Sequence, residues 1–320
     1  MFKLTFVPLL NKICIPTYTE SEKRDVCLLG QGWYAKGFMD NINKQKFNIT
    51  NIYENKFINT AQCIRKPEKI IPFNYDIKSI NKTILDIDVK NQTIFTDTAI
   101  DVSNSIVICG LGDHVPVKKW VTAIDLSGQT YSVVGAGLVG TEIAFKLTDE
   151  DKTVTLFDGL TSTHDFLPPS LKKYVLNEFN KKNITLHTNR FYNKEPCDKV
   201  MFATGSRPNT LTQNWIQTDK LCLKYENEIY NNIYFGGNCV WKTEIENIGA
   251  PTAQLAYDQG KHVATCLNDD CSKPYAPKNF VYTMYVGDNC NAVYMNGYDR
   301  FIIVPSCFID MYHRYKYGSI

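Results

Sequence analysis

The sequence lacks a long apolar run, a strong excess of charge of one sign and a metal-type cysteine pattern. A membrane-spanning helix needs roughly 18 or more consecutive apolar residues, and no such run occurs, so no transmembrane helix is predicted. The 35 Lys and Arg and 33 Asp and Glu give a net charge of +2. Because nucleic-acid binding needs a concentrated basic surface, nucleic acid is not an expected partner. What the chain does have is 44% hydrophobic residues over 320 positions, enough for about two domains.

The eleven cysteines include no Cys-x-x-Cys pair and no Cys/His cluster at zinc spacing. Their odd number and scatter indicate a reducing compartment rather than a disulfide framework, and no metal site is expected. Cys266 and Cys271 are the two closest in sequence. Two interpretations of this pair stay open: a redox disulfide and, more commonly, two buried or incidental thiols.

Two glycine-rich segments each follow an apolar strand-like run and open a helix-like run. They read Gly30-Gln31-Gly32-Trp33-Tyr34-Ala35 and Gly135-Ala136-Gly137-Leu138-Val139-Gly140. In the dinucleotide-binding pattern the first Gly allows a tight turn, the second lets the backbone approach a pyrophosphate, and the third small residue lets helix and strand pack closely. The pyrophosphate then lies at the helix N-terminus, where free N–H groups favour an anion. Short glycine-rich turns also serve as plain strand-to-helix connections, so the surrounding sequence is needed to distinguish a nucleotide-binding turn from such a connection.

An acidic residue follows the next strand-like run in both cases. Val154–Phe157 ends at Asp158, at about the expected distance from the second turn. A carboxylate there binds ribose hydroxyls and disfavours a 2′-phosphate, which favours NADH over NADPH. After the first turn, the run 47–53 ends at Glu54. Glu54 is therefore the expected ribose ligand of the first site, and the alternative is an ordinary solvated Glu in a turn.

The order of the runs predicts that one nucleotide domain is inserted into the other. A strand over 105–110 that ends at Gly110 would return the chain to the first sheet. A later strand ends at Gly236-Gly237-Asn238, and a helix follows from about Pro251 to Leu267. We therefore predict an α/β fold with two Rossmann-like domains and a short C-terminal α+β segment. The expected boundaries are 1–122 with 206–270 for the first domain, 123–205 for the inserted domain and 271–320 for the C-terminal segment.

This arrangement resembles the flavoproteins with two dinucleotide-binding domains. It is most similar to type II NADH dehydrogenases, with apoptosis-inducing-factor-like oxidoreductases as relatives, over roughly residues 25–295. The first turn with its Trp33 is similar to that family's flavin fingerprint, and Ala203-Thr204-Gly205 is similar to its internal Ala-Thr-Gly motif. More discriminating is the segment 251–260, which resembles the Ala-Gln-x-Ala-x-Gln-Gln-Gly helix of type II NADH dehydrogenases. In that family the helix borders the flavin ring and the quinone pocket.

Four features depart from the family pattern. Asn238 stands where the family has the Asp of a Gly-Asp motif, and Asp258 replaces the first of the two later glutamines. The connection from Gly112 to Tyr131 is shortened, and the sequence ends soon after the last recognisable strands. Relatives dock on membranes through longer C-terminal helices, so membrane attachment stays open here, and peripheral contact with a membrane is one possibility.

The resemblance implies an FAD-dependent NADH dehydrogenase that passes electrons to a quinone or a similar acceptor. Glu142 is expected in the first turn of its helix, where the helix dipole favours a carboxylate. In the family an acid at this place helps to relay protons, and the alternative is a purely structural role. Gln254 would lie beside the acceptor. The residues expected to bind FAD or NADH are Gly30, Gly32, Trp33, Ala35, Glu54, Gly110, Gly135, Gly137, Gly140, Asp158, Ala203, Thr204, Gly205, Gly237, Asn238, Ala253 and Gln254.

Two other functions remain open. One is an NADH-dependent reductase of a protein or artificial acceptor. The other is a degenerate flavoprotein fold that acts as a binding or scaffold protein, which Asn238 and Asp258 motivate. A homodimer is compatible with the resemblance, as are a cytoplasmic location and the membrane surface.

Overall fold

The computed structural model describes most of the chain between residues 23 and 317. The described ranges are 23–54, 57–59, 70–114, 125–204, 207–246, 248, 252–278, 281–295 and 298–317. Up to residue 114 the elements are β1 (Arg24–Leu29), α1 (Trp33–Met39), β2 (Phe47–Tyr53), β3 (Phe57–Asn59), β4 (Ile70–Pro72), β5 (Lys78–Asn81), β6 (Asp86–Asp88), β7 (Thr93–Phe95), β8 (Ala99–Asp101), β9 (Ile106–Cys109) and β10 (Asp113–His114).

From residue 125 to the C-terminal helix they are β11 (Thr130–Val134), α2 (Leu138–Thr148), β12 (Thr153–Phe157), α3 (Pro169–Lys181), β13 (Thr185–His187), β14 (Lys199–Phe202), β15 (Arg207–Pro208), β16 (Ile216–Gln217), β17 (Cys222–Tyr225), β18 (Glu228–Phe235), β19 (Lys242–Thr243), α4 (Ala253–Asn268), β20 (Val281–Gly287), β21 (Cys290–Met295), β22 (Phe301–Pro305) and α5 (Ser306–Tyr317). Two 3₁₀ turns, Thr210–Thr212 and Gly237–Cys239, complete the set.

The largest sheet has eight strands in the order β19-β16-β17-β18-β9-β1-β2-β5. At its centre, β1 pairs in parallel with β2 and with β9, and β9 pairs in parallel with β18. The apolar residues of β1 from Val26 to Leu29 are all buried, as expected for a parallel strand covered on both faces. The strand that ends before Gly110 does return to this sheet. The small antiparallel sheet β6-β7-β8 precedes it in sequence.

A second sheet lies between the two stretches of chain that build the first. Its four strands run in the order β13-β12-β11-β14 and are all parallel. Residues 130–202 therefore form a separate Rossmann-like unit, which confirms the predicted insertion. A short antiparallel ribbon, β10 with β15, joins the chain entering this unit to the chain leaving it. The boundaries at 122 and 206 stay predictions, because both positions lie outside the described residues.

The C-terminal segment is a three-stranded antiparallel sheet, β20-β21-β22, followed by α5. Its first strand packs on the inserted unit: Met284, Tyr285 and Val286 belong to the same buried core as Ile143 and Phe145 of α2. The Tyr285 hydroxyl also donates a hydrogen bond to Asp149, just after α2. The predicted α+β segment is confirmed.

Helices α1 and α4 lie against each other through glycines. A Cβ added at Gly37 would overlap with the carbonyl oxygen of Tyr257, and one added at Gly260 would overlap with that of Tyr34. Only glycine permits so close an approach of two helix backbones. This contact holds α4 beside the helix that follows the first glycine-rich turn. Within the described part of the chain, no helix is both long enough and apolar enough to cross a membrane.

Candidate functional site

The first glycine-rich turn fits tightly between neighbouring strands. Gly30 has φ +87°, and a Cβ there would lie 2.5 Å from the carbonyl oxygen of Gly110. Its N–H donates to the carbonyl of Ile52 at 2.8 Å. The turn therefore requires glycine at position 30 for both conformation and space. Among the described residues, an added Cβ at Gly32 would meet only Gly110 O, at 3.6 Å, which is ordinary van der Waals contact.

Asn51 braces this turn from β2, and sequence reasoning missed it. Its side chain is fully buried, and its Nδ2 donates to the carbonyls of Leu28 at 3.0 Å and Gly30 at 2.9 Å. Its Oδ1 accepts a hydrogen bond from Gln31 Nε2 at 2.9 Å. An amide side chain directly before Ile52 in a strand predicted to be buried was the available signal, because buried polar groups in native proteins are nearly always hydrogen-bonded.

Several predicted residues meet at one edge of the large sheet. The strands β18, β9, β1 and β2 are neighbours and run parallel, so their carboxyl ends lie side by side. Gly236 follows β18, and Gly110 follows β9. Gly30 follows β1, and Glu54 follows β2. Such an edge is where open α/β sheets bind ligands. The structure thus places three predicted residues, Gly30, Gly110 and Glu54, at one edge of the sheet, next to Gly236.

The remaining predicted residues of this site differ in exposure. Trp33 is the first residue of α1 and is half-buried, whereas Ala35 in the same helix is fully buried. Glu54 is exposed directly after β2. Gly237 has φ +69° and leads into the 3₁₀ turn that contains the half-buried Asn238.

Helix α4 begins at Ala253, two residues later than Pro251. Thr252 is the N-cap, and its side chain accepts a hydrogen bond from Leu255 N at 3.1 Å. Pro251 itself lies outside the described residues. Ala253 and Gln254 are thus the first two helical residues, and both are half-buried.

Two other side chains of α4 connect it to its surroundings. The buried Gln259 accepts a hydrogen bond through Oε1 from Gly237 N at 2.8 Å, which fixes α4 to the turn that carries Asn238. Asp258 accepts hydrogen bonds from Tyr275 Oη at 3.0 Å and Lys278 Nζ at 2.9 Å. The departure from Gln at position 258 therefore has local partners, one of them cationic, in this chain.

The second glycine-rich turn repeats the geometry of the first. Gly135 has φ +102°, and a Cβ there would overlap with the carbonyl oxygen of Ala203. A Cβ at Gly140 would overlap with the carbonyl oxygen of Gly135, so α2 lies directly on the turn. Gly137 is different: it is the N-cap of α2, and no described atom lies within 4 Å of its ideal Cβ position. The open space lies where the free N–H groups of α2 point, which suits a pyrophosphate.

The neighbouring strand ends supply the other predicted residues of this site. Asp158 follows β12, and its Oδ1 accepts a hydrogen bond from Leu160 N at 3.0 Å. Ala203 follows β14 and donates its N–H to Val134 O at 2.7 Å, and the exposed Thr204 comes next. Gly205 lies outside the described residues. Since β12 and β14 flank β11 in parallel, Asp158 and Ala203 lie at the same sheet edge as Gly135.

His164 is a second buried group that sequence reasoning missed. Its Nε2 lies 2.8 Å from the Thr141 hydroxyl in α2, and its Nδ1 lies 3.0 Å from the Thr163 hydroxyl. The side chain is 2% exposed. Burial, with a smaller contribution from Lys172, lowers the pKa of His164 to about 4. A neutral histidine therefore ties the loop after Asp158 to the helix of the second turn.

Glu142 lies in the second turn of α2, not in the first as expected. The helix begins at Leu138, so Glu142 is its fifth residue, beyond the strongest influence of the helix dipole. Its Oε1 accepts a hydrogen bond from the backbone N–H of Tyr285 at 2.8 Å. The carboxylate thus contacts the C-terminal sheet, a partner that is 143 residues away in sequence.

Both sheet edges fit a dinucleotide in the same respects. Each has a glycine in the left-handed region, Gly30 or Gly135, that allows the tight turn. At the start of the following helix, a Cβ would meet Gly110 O at 3.6 Å at Gly32 and no described atom within 4 Å at Gly137. The donor set consists of backbone N–H groups and one acidic residue per site, which matches a pyrophosphate and a ribose.

Comparisons with known proteins agree with this geometry. Residues 114–260 match the family model of pyridine nucleotide-disulphide oxidoreductases. This range holds the second turn and the first half of α4, but not the first turn. No curated protein matches the sequence.

Solved structures match over most of the chain. NDH2 from Plasmodium falciparum, in complex with NADH, is 13% identical with a TM-score of 0.71, covering 93% of this chain and 99% of its own. The water-forming NADH oxidase from Lactobacillus brevis, bound to NADH, is 16% identical with a TM-score of 0.67, covering 85% and 75%. The covalent putidaredoxin reductase–putidaredoxin complex contributes a chain that is 14% identical with a TM-score of 0.67, covering 87% and 83%. At these identities the likeness establishes the fold.

Proposed function

We propose that this chain, whose residues 114–260 match the family model of pyridine nucleotide-disulphide oxidoreductases, is a member of that superfamily and an FAD-dependent NADH dehydrogenase that reduces a quinone. The general activity, flavin-dependent oxidation of NAD(P)H with FAD and NAD(H) as cofactors, is that of the superfamily. NADH as the donor and a quinone as the acceptor are the specific parts of the proposal.

The observation that carries the proposal is the pair of glycine-lined sheet edges within one chain. FAD would be held at the large sheet by the turn at Gly30 and Gly32. Glu54 would bind its ribose, and the turn at Asn238 would bind the ribityl chain of the flavin. NAD(H) would be held at the inserted sheet by the turn at Gly135 and Gly137. When bound, the flavin supplies the two-electron chemistry. The protein then has to bind, orient and exclude water, which explains sites built from backbone and small residues.

Asp158 supports NADH as the donor. It follows β12 at the edge of the inserted sheet, where a carboxylate accepts hydrogen bonds from ribose hydroxyls and repels a 2′-phosphate. Arg190, the nearby cation that could reverse this preference, forms an ion pair with Glu195 at 2.6 Å. The local charge therefore favours the unphosphorylated nucleotide.

The beginning of α4 supports a small flat acceptor such as a quinone. Gln259 fixes this helix to the turn at Gly237, so Ala253 and Gln254 begin the helix on the side of the first site. The amide of Gln254 can donate to a carbonyl oxygen, the group that a quinone presents. Glu142 is a proposed proton-relay residue, with its carboxylate oriented by Tyr285 N.

Steady-state kinetics with several acceptors would test the proposal. The chain reconstituted with FAD should oxidise NADH with a water-soluble quinone at a much higher kcat/KM than with dioxygen. Gln254→Leu should lower kcat/KM for the quinone at least about tenfold, equivalent to about 1.4 kcal/mol, and leave NADH oxidation by ferricyanide unchanged. Gln45→Leu, at an exposed position, is the matched control. Equal quinone activity in wild type and Gln254→Leu would contradict the role of Gln254.

A second candidate acceptor is a small redox protein. The likeness to putidaredoxin reductase in a covalent complex with putidaredoxin favours it. The same assay separates the two, because a protein-linked reductase should reduce an iron–sulfur ferredoxin faster than the quinone. If neither acceptor is reduced and NADH is not oxidised, the fold serves binding rather than turnover.

A further inference from the structure

The C-terminal end of α4 brings two cysteines together. The N–H of Cys271 donates to the carbonyl of Cys266 at 2.9 Å, and Asp270 between them has φ +48°. A hydrogen bond that spans five residues, closed by a residue in the left-handed region, defines a Schellman motif. In this motif the side chains at the two ends of the hydrogen bond usually contact each other.

Here both of these side chains are thiols. Cys266 and Cys271 are free cysteines whose backbones are joined by the Cys271 N–H to Cys266 O hydrogen bond, and the Cys271 thiol is one of the neighbours that raise the pKa of Cys266. The helix-capping backbone thus holds the two cysteines next to each other. The pair lies at the end of α4 opposite Gln254, so it is separate from the proposed nucleotide sites.

The two thiols differ in their surroundings. Cys266 is 6% exposed, and its Sγ lies 3.6 Å from Nε2 of His262. The same Nε2 lies 3.0 Å from the carbonyl oxygen of Lys273, which requires a proton on that nitrogen, so His262 can donate to the Cys266 sulfur. Burial is the main cause that raises the pKa of Cys266. Cys271 is half-buried and therefore the thiol that a reagent from solvent reaches first.

We propose that Cys266 and Cys271 are a reversible dithiol–disulfide site for low-molecular-weight disulfides of the glutathione class. The Cys271 thiolate attacks one sulfur of the disulfide, which forms a mixed disulfide and releases one thiol. Cys266 then loses its proton and attacks Sγ of Cys271, and the second thiol leaves. The two cysteines together lose two electrons and two protons, and the reagent is reduced to two thiols.

The bond would close a small covalent ring at the end of α4. It would fix the start of the segment that leads to Tyr275 and Lys278, the two partners of Asp258. The inference does not depend on the proposed function, because none of these residues belongs to either nucleotide site.

The experiment equilibrates the folded, full-length chain in buffers of reduced and oxidised glutathione, followed by acid quenching, alkylation and peptide mapping. Oxidation should remove these two thiols first and yield a peptide linked from Cys266 to Cys271. Reduced glutathione should reverse the change. Failure to form this link in the most oxidising buffer would overturn the proposal.

Single variants test the order of attack. Cys266→Ser should accumulate glutathione on Cys271, whereas Cys271→Ser should leave Cys266 unmodified. Cys290→Ser, which changes another half-buried cysteine, should form the disulfide like the wild type. Far-UV circular dichroism checks that each variant is folded. Glutathione on Cys266 in folded Cys271→Ser, or a persistent mixed disulfide in the wild type, would contradict the assigned roles.

Discussion

Two glycines of the second turn, Gly137 and Gly140, have opposite surroundings. A Cβ at Gly140 would overlap with the carbonyl oxygen of Gly135, whereas a Cβ at Gly137 meets no described atom within 4 Å. The backbone of Gly137, with φ −69° and ψ −173°, is extended and open to any residue. Gly140 is thus required for folding, and Gly137 leaves space for a ligand.

We therefore expect Gly137→Val to fold normally and to bind NADH at least about tenfold more weakly, a loss of about 1.4 kcal/mol. Gly140→Val should be destabilised by about 1–3 kcal/mol or more, because overpacking forces the backbone to move. Thermal denaturation and calorimetric titration with NADH measure the two effects. An NADH affinity of Gly137→Val equal to that of the wild type would contradict the assignment of the nucleotide to this turn.

Asn51 is the corresponding single residue in the first site. Asn51→Leu keeps the volume of the side chain but leaves the carbonyls of Leu28 and Gly30 without their side-chain donor. We expect a loss of about 2 kcal/mol or more in the free energy of unfolding, because each unsatisfied buried group costs about 1–3 kcal/mol. FAD retention through gel filtration should fall in parallel.

The control for this experiment lies on the same strand. The exposed Asn48 donates a hydrogen bond to Asp25 at 3.1 Å, and Asn48→Ala should change stability by no more than about 0.5 kcal/mol. Urea denaturation compares the two variants. Equal stability of Asn51→Leu and Asn48→Ala would show that Asn51 does not brace the turn.

Helix α2 is held at two levels by residues from distant parts of the chain. Thr141 contacts His164 in the loop after β12, and Glu142 contacts Tyr285 in β20. Through the Thr141–His164 contact, the attachment of α2 to this loop depends on the protonation state of His164.

The stability of this connection should change with pH. The unfolded chain protonates His164 near pH 6.5, but the folded chain does so only near pH 4, because burial lowers the pKa. The contribution of neutral His164 to the free energy of unfolding is therefore complete above pH 6.5 and declines as the pH falls. It is lost below about pH 4, and its maximum is about 3 kcal/mol. Urea denaturation at several pH values should show this loss.

His164→Asn isolates the effect of the ring. His164 has φ +61°, and Asn tolerates this left-handed conformation better than most residues, so the backbone is kept while the titrating group is removed. The free energy of unfolding of this variant should no longer show the part of the pH dependence between pH 6.5 and 4 that comes from His164. His262→Asn should keep it. An unchanged slope in His164→Asn would contradict the assignment.

Local patterns were enough to predict the two turns and the strands around them. Apolar strands that end at Gly30, Gly110 and Gly135 have a local sequence pattern that the structure reproduces. The predicted start of α4 was less accurate. The sequence placed it at about Pro251, whereas the helix begins at Ala253 with Thr252 as its N-cap.

Contacts between distant segments could not be predicted. The partner of Glu142 is a backbone N–H in β20, and no periodicity in α2 indicates it. Asn51 hydrogen-bonds carbonyls of the neighbouring strand, a pairing that depends on the register of β1 with β2.

The inserted unit and the C-terminal sheet share one hydrophobic core. Met284 and Ala292 of the C-terminal sheet are fully buried in the cluster that contains Ile143, Leu156 and Phe179. The C-terminal segment is therefore packed as an integral part of the inserted unit.

Met284→Ala should accordingly destabilise the inserted unit. Removing a fully buried methionine side chain costs about 2–5 kcal/mol, and the loss should appear as faster amide exchange in β11 and β12 as well as in β20. Ile302→Ala, in the same sheet but 62% exposed, should stay within about 0.5 kcal/mol of the wild type. Faster exchange confined to β20 would mean that the C-terminal sheet is an independent unit.

The most direct test of the two-site account is an anaerobic absorbance spectrum of the purified protein, taken before NADH, after NADH and again after a soluble quinone. We predict a yellow protein whose flavin absorbance bleaches with NADH and returns with the quinone. A protein that cannot be loaded with FAD, or whose bound FAD does not respond to NADH, would contradict the account.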